Sequence, residues 1–130
     1  MKKIFIFLFL FICPNLYAQN IKFEKIVDSL DRPWSLSFIN QESIIFTEKS
    51  GKLFTFNLKN KKKSEVKHDL LFILEDGQGG LLDVLYHNGK IYVSYSEYRG
   101  QRGATSTSVA KGNFNRQNIK FKNIFRAEPP

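Results

Sequence analysis

The chain has 130 residues, of which 42% are apolar and 15% aromatic, and this composition predicts at most one folded domain rather than a disordered chain. Lysine and arginine outnumber aspartate and glutamate by 20 to 12, which gives a formal net charge of +8. The positive charges are spread over many loops. No RNA-binding sheet motif, zinc-finger spacing or helix-turn-helix pattern accompanies them, so we expect no nucleic-acid partner.

The first 18 residues have the regions of a secretory signal peptide in the usual order. Two lysines precede an unbroken apolar run from Ile4 to Ile12, and a polar region follows that ends at Ala18. Such a run is too short for a membrane-spanning helix, which needs about 20 residues. We therefore expect cleavage after Ala18, loss of the only cysteine, and a mature chain of residues 19–130. That chain would be periplasmic or secreted, with no stable membrane anchor.

Short segments with alternating apolar and polar residues follow along the chain, and none has a helical period. Residues 21–30 are predicted as an edge strand that ends before Pro33, which lacks a backbone N–H. The stretch from Lys59 to Ser64 contains four lysines and is interpreted as the solvated tip of a hairpin. The pattern predicts an all-β fold, with further strands at residues 34–38, 43–47, 52–58, 70–74, 81–86, 90–97, 105–114 and 119–125.

Part of this pattern is repeated. The segment WSLSFINQESIIFTE aligns with LLDVLYHNGKIYVSYSE, so that Phe38 falls on Tyr86 at an offset of 48 and Ile44 falls on Ile91 at an offset of 47. Self-similarity at about 40 to 50 residues, with four short strands to a unit, is typical of propeller blades. A chance match between two amphipathic strand pairs is the alternative interpretation.

At this spacing residues 19–130 supply a little over two units, whereas a propeller has typically 4 to 8 blades. The chain is then the N-terminal part of a longer protein, or several copies assemble, or the fold is a small β-sandwich. The sequence ends at Glu128-Pro129-Pro130 without a closing strand. We therefore expect about two blades of an incomplete propeller.

The loop at residues 76–80 is the main candidate for a functional site. Gln78 is flanked there by Gly77, Gly79 and Gly80. Glycine has no Cβ and lets a ligand approach the backbone, while a glutamine amide can both donate and accept hydrogen bonds. A structural turn between two strands is an equally good interpretation. A strand rather than a helix follows the loop, so it is not a dinucleotide-binding fingerprint.

Other polar residues carry weaker signals. Asp83 stands between apolar residues of a predicted strand, and a buried carboxylate needs a charged or hydrogen-bonding partner. We predict that Arg32 is this partner, and the alternative is that Asp83 lines the channel near a ligand. His68 lies in a charged stretch and His87 in a turn, and both are interpreted as surface or turn residues. The sequence thus offers no catalytic residue and no metal ligand of its own.

Several segments, in order and at their spacing, resemble the glucose/sorbosone dehydrogenase family. They run from about Leu30 to Ala127 and read LDRPWSLSF, FTEKSGKLF, GQGGLLDV with IYVSYSE, TSVAKGNF and IFRAEP. The resemblance implies a six-bladed β-propeller that binds pyrroloquinoline quinone (PQQ) and calcium and oxidises aldose sugars. It implies that a base takes a hydroxyl proton while hydride passes to the quinone.

In this resemblance only Gln78 falls on a residue that reaches the family's active site, and we assign Gln78, Gly79 and Gly80 to substrate or cofactor binding. The catalytic histidine, the calcium ligands and the basic residues that hold the quinone's carboxylates would lie downstream of residue 130. We therefore expect residues 1–130 alone to be inactive.

The resulting hypothesis is the N-terminal portion of an exported, quinone-dependent dehydrogenase of small-molecule aldose sugars. The first alternative is a non-catalytic extracellular β-propeller that binds carbohydrate or protein. The second is a calcium-dependent lactone hydrolase of propeller type, which needs acidic and asparagine ligands facing the central channel.

Overall fold

A computed structural model describes residues 21–100 and 104–128 of the chain. Every regular element in these two ranges is a β-strand. The described part of the chain has no helix long and apolar enough to cross a membrane. The strands are β1 (Pro33–Asn40), β2 (Ser43–Glu48), β3 (Leu53–Asn57), β4 (Lys63–His68), β5 (Leu81–His87), β6 (Lys90–Tyr98), β7 (Thr105–Asn113), β8 (Asn118–Ile119) and β9 (Phe121–Arg126).

The strands form two sheets that follow one another along the chain. Sheet 1 has the order β1-β2-β3-β4, with β8 added in parallel beside β4, and sheet 2 has the order β5-β6-β7-β9. Phe38 pairs with Ile44 in sheet 1, and Tyr86 pairs with Ile91 in sheet 2. The sequence repeat aligns Phe38 with Tyr86 and Ile44 with Ile91, so the repeat relates one pair to the other. The two sheets are therefore two copies of one unit, and the predicted all-β fold is confirmed.

The two sheets also share an irregularity in the pairing of their first two strands. The register shifts near the start of β1, and it shifts again near the start of β5. At the first shift the backbone N–H of Ser35 donates to Thr47 Oγ1 at 3.3 Å, and at the second the N–H of Asp83 donates to Ser94 Oγ at 3.1 Å. A hydroxyl on the neighbouring strand thus accepts an N–H that the shift removes from the ladder.

The main hydrophobic core lies between the two sheets, where β1 and β2 face β5. Two serines of β1 add hydrogen bonds across this contact: the Val84 N–H donates to Ser35 Oγ at 3.4 Å, and the Tyr86 N–H donates to Ser37 Oγ at 3.0 Å. Removal of apolar surface from water at this contact is the main force that holds the sheets together. The core residues are Ile45, Leu53, Val66, Leu81, Val84, Ile91, Val93, Tyr95, Ala110 and Ile119.

A second cluster lies on the opposite face of sheet 1. It consists of Ile44, Phe46, Phe54 and Phe56, and Val27 and Leu30 pack against it. The prediction of an edge strand at residues 21–30 is wrong, because this segment forms no strand. Val27 and Leu30 cover part of this face, whereas Ile21 and Phe23 are exposed.

Two further differences from the sequence predictions concern single segments. Residues 70–74 are not a buried strand: Leu71 and Phe72 are exposed, and only Ile73 forms a single bridge, to Glu97. The segment connects the two sheets, and its apolar composition alone does not distinguish such a connection from a buried strand. Strand β4 is not predicted by the pattern, because Val66 is its only fully buried residue and its mostly polar sequence has the composition of a loop.

Candidate functional site

The glycine-rich loop lies at one end of both sheets, which we call the loop end. Antiparallel pairing brings the start of β1 and the end of β2 to this end, and the start of β5 and the end of β6 meet there as well. A hydrogen bond from the Leu81 N–H to the Lys49 carbonyl, 3.1 Å long, joins the two sheets at this point. The residues that define the loop end are Arg32, Trp34, Lys49, Gly51 and the loop at residues 76–80.

Gln78 is exposed at the tip of the loop, and Asp76 and Gly77 are exposed beside it. Gly77 has a φ of 50°, and apart from its two chain neighbours no atom of residues 21–100 and 104–128 lies within 4 Å of the position that a Cβ would take there. A glutamine amide offers both a donor and an acceptor. The first half of the loop therefore presents a hydrogen-bonding group beside open space.

The second half of the loop packs against the chain itself. A Cβ on Gly80, whose φ is 142°, would lie 2.5 Å from the carbonyl oxygen of Lys49. A Cβ on Gly79 would lie 2.8 Å from the Leu74 carbonyl oxygen and 3.0 Å from Ser96 Oγ. Internal packing accounts for both glycines, and a role of Gly79 and Gly80 in ligand binding stays a prediction.

Lys49 is a site residue that the sequence did not reveal. Its ammonium group donates to the Gly77 carbonyl oxygen at 2.5 Å and lies 5.5 Å from the centre of the Trp34 ring. A lysine beside a serine and a glycine has the sequence of any solvated turn. Only the approach of the two sheets brings it to the loop.

The predicted pair between Arg32 and Asp83 is wrong. Arg32 Nη1 lies 2.5 Å from Glu75 Oε1, and Arg32 Nε donates to Asp31 Oδ1 at 3.1 Å. Asp83 is exposed. The Asp83 side chain therefore needs no buried charged partner.

Glu97, near the end of β6, is a buried carboxylate that has an arginine partner. Arg126 donates to it from Nε at 2.7 Å and from Nη2 at 3.0 Å, and Ser108 Oγ donates at 2.6 Å. The hydrogen bond from Arg126 lowers the pKa of Glu97 more than burial raises it. Both carboxylate oxygens therefore accept hydrogen bonds in the ionised form, which suits a residue that stabilises sheet 2 rather than a proton acceptor.

Neither histidine is placed as a base for a molecule at Gln78. His68 lies at the loop end, but its Nε2 is 2.7 Å from the Gly51 carbonyl oxygen and its Nδ1 accepts the Leu70 N–H at 3.3 Å. His87 ends β5 at the opposite end of sheet 2, where its Nε2 is 3.0 Å from the Asn88 amide. Among residues 21–100 and 104–128, no group of three or more His, Cys, Asp and Glu could hold a metal ion.

Comparison with known proteins supports the family resemblance along most of the chain. A family model described as glucose/sorbosone dehydrogenase matches residues 30–130. Aldose sugar dehydrogenase YliI of Escherichia coli K12 is 30% identical over 118 residues, which cover 84% of this chain and 31% of that protein.

Two solved structures share the fold. One is an oxidoreductase of Thermus thermophilus, described as a glucose dehydrogenase, with a TM-score of 0.66 and 19% identity over 82% of this chain and 32% of that one. The other is the PQQ-bound form of an aldose sugar dehydrogenase of Streptomyces coelicolor, with a TM-score of 0.67 and 15% identity over 82% and 33%. The prediction of a partial β-propeller is confirmed. The chain spans about a third of the length of these relatives.

Proposed function

The chain belongs to the glucose/sorbosone dehydrogenase family, and from this premise we propose that it supplies about two blades and one wall of the site in an exported, PQQ-dependent dehydrogenase of aldose sugars. The similarity to a sugar dehydrogenase of E. coli supports the substrate class. The PQQ-bound form of a relative with the same fold supports the cofactor. The signal-like first 18 residues, which lie outside the described ranges, support export.

The exposed amide of Gln78 beside the open side of Gly77 is the observation that carries this proposal. PQQ is a planar quinone with carboxylate groups, so its site needs room for a flat ring and hydrogen-bonding groups at the ring's edge. The first half of the loop fits this need. Gly80 is less suited to contact PQQ, because it is buried and Lys49 fills the space beside it.

In this mechanism Gln78 orients the bound molecule. Its NH₂ group can donate to a quinone or sugar oxygen while its carbonyl accepts a sugar hydroxyl, which fixes the sugar relative to the ring. When bound, PQQ supplies the acceptor for the hydride that leaves the sugar. A neutral amide cannot take the hydroxyl proton, so a base is required as well. We assign that base, and the calcium ligands, to residues beyond the described ranges.

The test is reconstitution of the full-length protein that contains residues 19–130 with PQQ and calcium. Dye reduction is then measured with glucose and other aldoses, and with sugar alcohols as controls. Turnover that depends on both PQQ and an aldose supports the proposal. PQQ-independent sugar binding without turnover would instead support the non-catalytic propeller.

A further inference from the structure

We propose that Lys49 is a positioning residue that holds the loop at residues 76–80 in the conformation that presents Gln78. Lys49 contacts the loop on both sides of Gln78, through its side chain before that residue and through its backbone after it. The inference rests on the proposed function only for what Gln78 binds. The positioning itself is a property of the chain and can be measured without a ligand.

The side chain of Lys49 holds the first half of the loop. Its ammonium group donates to the Gly77 carbonyl oxygen at 2.5 Å, and hydrogen bonds from a charged donor are about twice as strong as neutral ones. The same group lies 5.5 Å from the centre of the Trp34 ring, within the range of a cation–π interaction. Trp34 thus limits where the ammonium can go, and the ammonium fixes the peptide that precedes Gln78.

The backbone of Lys49 holds the second half. Its carbonyl oxygen accepts the Leu81 N–H at 3.1 Å, and its own N–H donates to the Arg32 carbonyl at 3.1 Å. The Cα of Gly80 packs so closely against Lys49 that no Cβ would fit between them. The end of the loop is therefore attached to the turn after β2 by contacts that do not involve the lysine side chain.

This division of contacts makes the side chain separable from the fold. Gly77 is exposed and has open space beside it, so removal of the Lys49 ammonium should free the peptide between Gly77 and Gln78. The backbone contacts at Leu81 and the core between the sheets should remain. A short bond inside the loop, from the Gly79 N–H to the Asp76 carbonyl at 2.6 Å, reports whether the loop keeps its conformation.

The experiment measures amide hydrogen exchange by NMR in the wild-type chain and in Lys49→Met and Lys49→Arg variants. Lys52→Met is the matched control, because Lys52 is an exposed lysine close by in the same turn. We expect Lys49→Met to speed exchange of the Gly79 amide about 10-fold or more, a loss of roughly 1.4 kcal/mol in local protection. Exchange at Ile91 in the core should stay unchanged. Lys49→Arg should restore most of the protection, and Lys52→Met should have no effect.

Two results would overturn the positioning role: unchanged exchange of Gly79 in Lys49→Met, or faster exchange of Gly79 and Ile91 by the same factor, which would indicate loss of overall stability. In the reconstituted holoenzyme, Lys49→Met should lower kcat/KM for an aldose and Lys49→Arg should restore it. If the wild-type protein has no PQQ-dependent activity but Gly79 responds as expected, the proposed function fails and the positioning role stands.

Discussion

The hydroxyl of Thr47 in sheet 1 donates a hydrogen bond of 2.6 Å to the carbonyl oxygen of Leu82 in sheet 2. Thr47 is fully buried, so this bond connects the two sheets where water cannot replace it. Replacement of Thr47 with Val keeps the shape of the side chain but leaves the Leu82 carbonyl without this donor and the Ser35 N–H without its acceptor. We expect a loss of about 1 to 3 kcal/mol in the free energy of unfolding, measured by urea denaturation.

Thr55→Val is the matched control. Thr55 is also a buried threonine of sheet 1, but among the described residues its hydroxyl donates only to the Ser64 carbonyl of the same sheet, at 3.5 Å. At that length the bond contributes little, so this variant should lose less than about 0.5 kcal/mol. Equal losses in the two variants would show that the bond between the sheets has no special weight.

The two halves of the glycine-rich loop should respond differently to alanine. Gly80→Ala forces a methyl group against the Lys49 carbonyl at a φ of 142°, and we expect a loss of about 3 kcal/mol or more in the free energy of unfolding. Within the described part of the chain, the added methyl group of Gly77→Ala meets no atom within 4 Å except those of its chain neighbours, so this variant should cost only about 1 kcal/mol for its positive φ. Thermal and urea unfolding of both variants check this. A Gly77→Ala variant as unstable as Gly80→Ala would contradict the packing described above.

The ion pair of Glu97 and Arg126 predicts how stability depends on pH. The pKa of folded Glu97 lies below its ordinary value, so the pair contributes fully above about pH 4.3, the ordinary glutamate pKa. The contribution is lost as the pH falls below that value toward the pKa of the folded state. We expect Glu97→Gln to be less stable than wild type at pH 7, by about 1 to 3 kcal/mol, and to lose less stability between pH 7 and pH 3.

Glu65→Gln is the control for this prediction. The pKa of Glu65 is also lowered, chiefly by its hydrogen bond from Lys67, but both partners are exposed, and exposed pairs contribute little to stability. This variant should keep the pH dependence of the wild-type chain. If Glu97→Gln kept it too, acid destabilisation would have to originate at other carboxylates.

The sequence was sufficient for the repeat because period-2 alternation and hairpin turns are local. Asn88-Gly89 is an example: both residues have positive φ, which a two-residue hairpin loop of type I′ requires and which Asn-Gly favours. Glu97 could have been found in the same way, since it follows Ile91, Val93 and Tyr95 on the buried side of β6. A carboxylate at the end of a buried row needs a cationic partner.

The contacts of the loop end could not be predicted, because they join residues that are far apart in sequence. Lys49 and Gly77 are 28 positions apart, and no local pattern connects them. The loop glycines show the same limit. Gly80 has a positive φ, but Gly79 does not, and its missing side chain is explained by Leu74 and Ser96. The glycine content of the loop does not show whether a given glycine is needed for its backbone conformation or for close packing.

We assign the base that takes the hydroxyl proton to residues beyond the described ranges, because both ring nitrogens of His68, the histidine at the loop end, have partners. We therefore predict that purified residues 19–130 reduce no dye with any aldose, even with PQQ and calcium supplied. The full-length protein assayed in parallel is the positive control. Turnover by residues 19–130 that disappears without PQQ would show that the base lies within this chain.

The most direct test of the central claim, that the loop end forms part of a sugar and cofactor site, is the Gln78→Ala variant of the full-length protein. Gln41→Ala is its matched control, an exposed glutamine in the turn at the opposite end of sheet 1. We predict that Gln78→Ala loses about 1 to 3 kcal/mol of transition-state stabilisation, roughly 5- to 150-fold in kcat/KM. Its Tm should match that of wild type, and Gln41→Ala should keep full activity. Full activity in Gln78→Ala, or a loss only in step with its Tm, would contradict the claim.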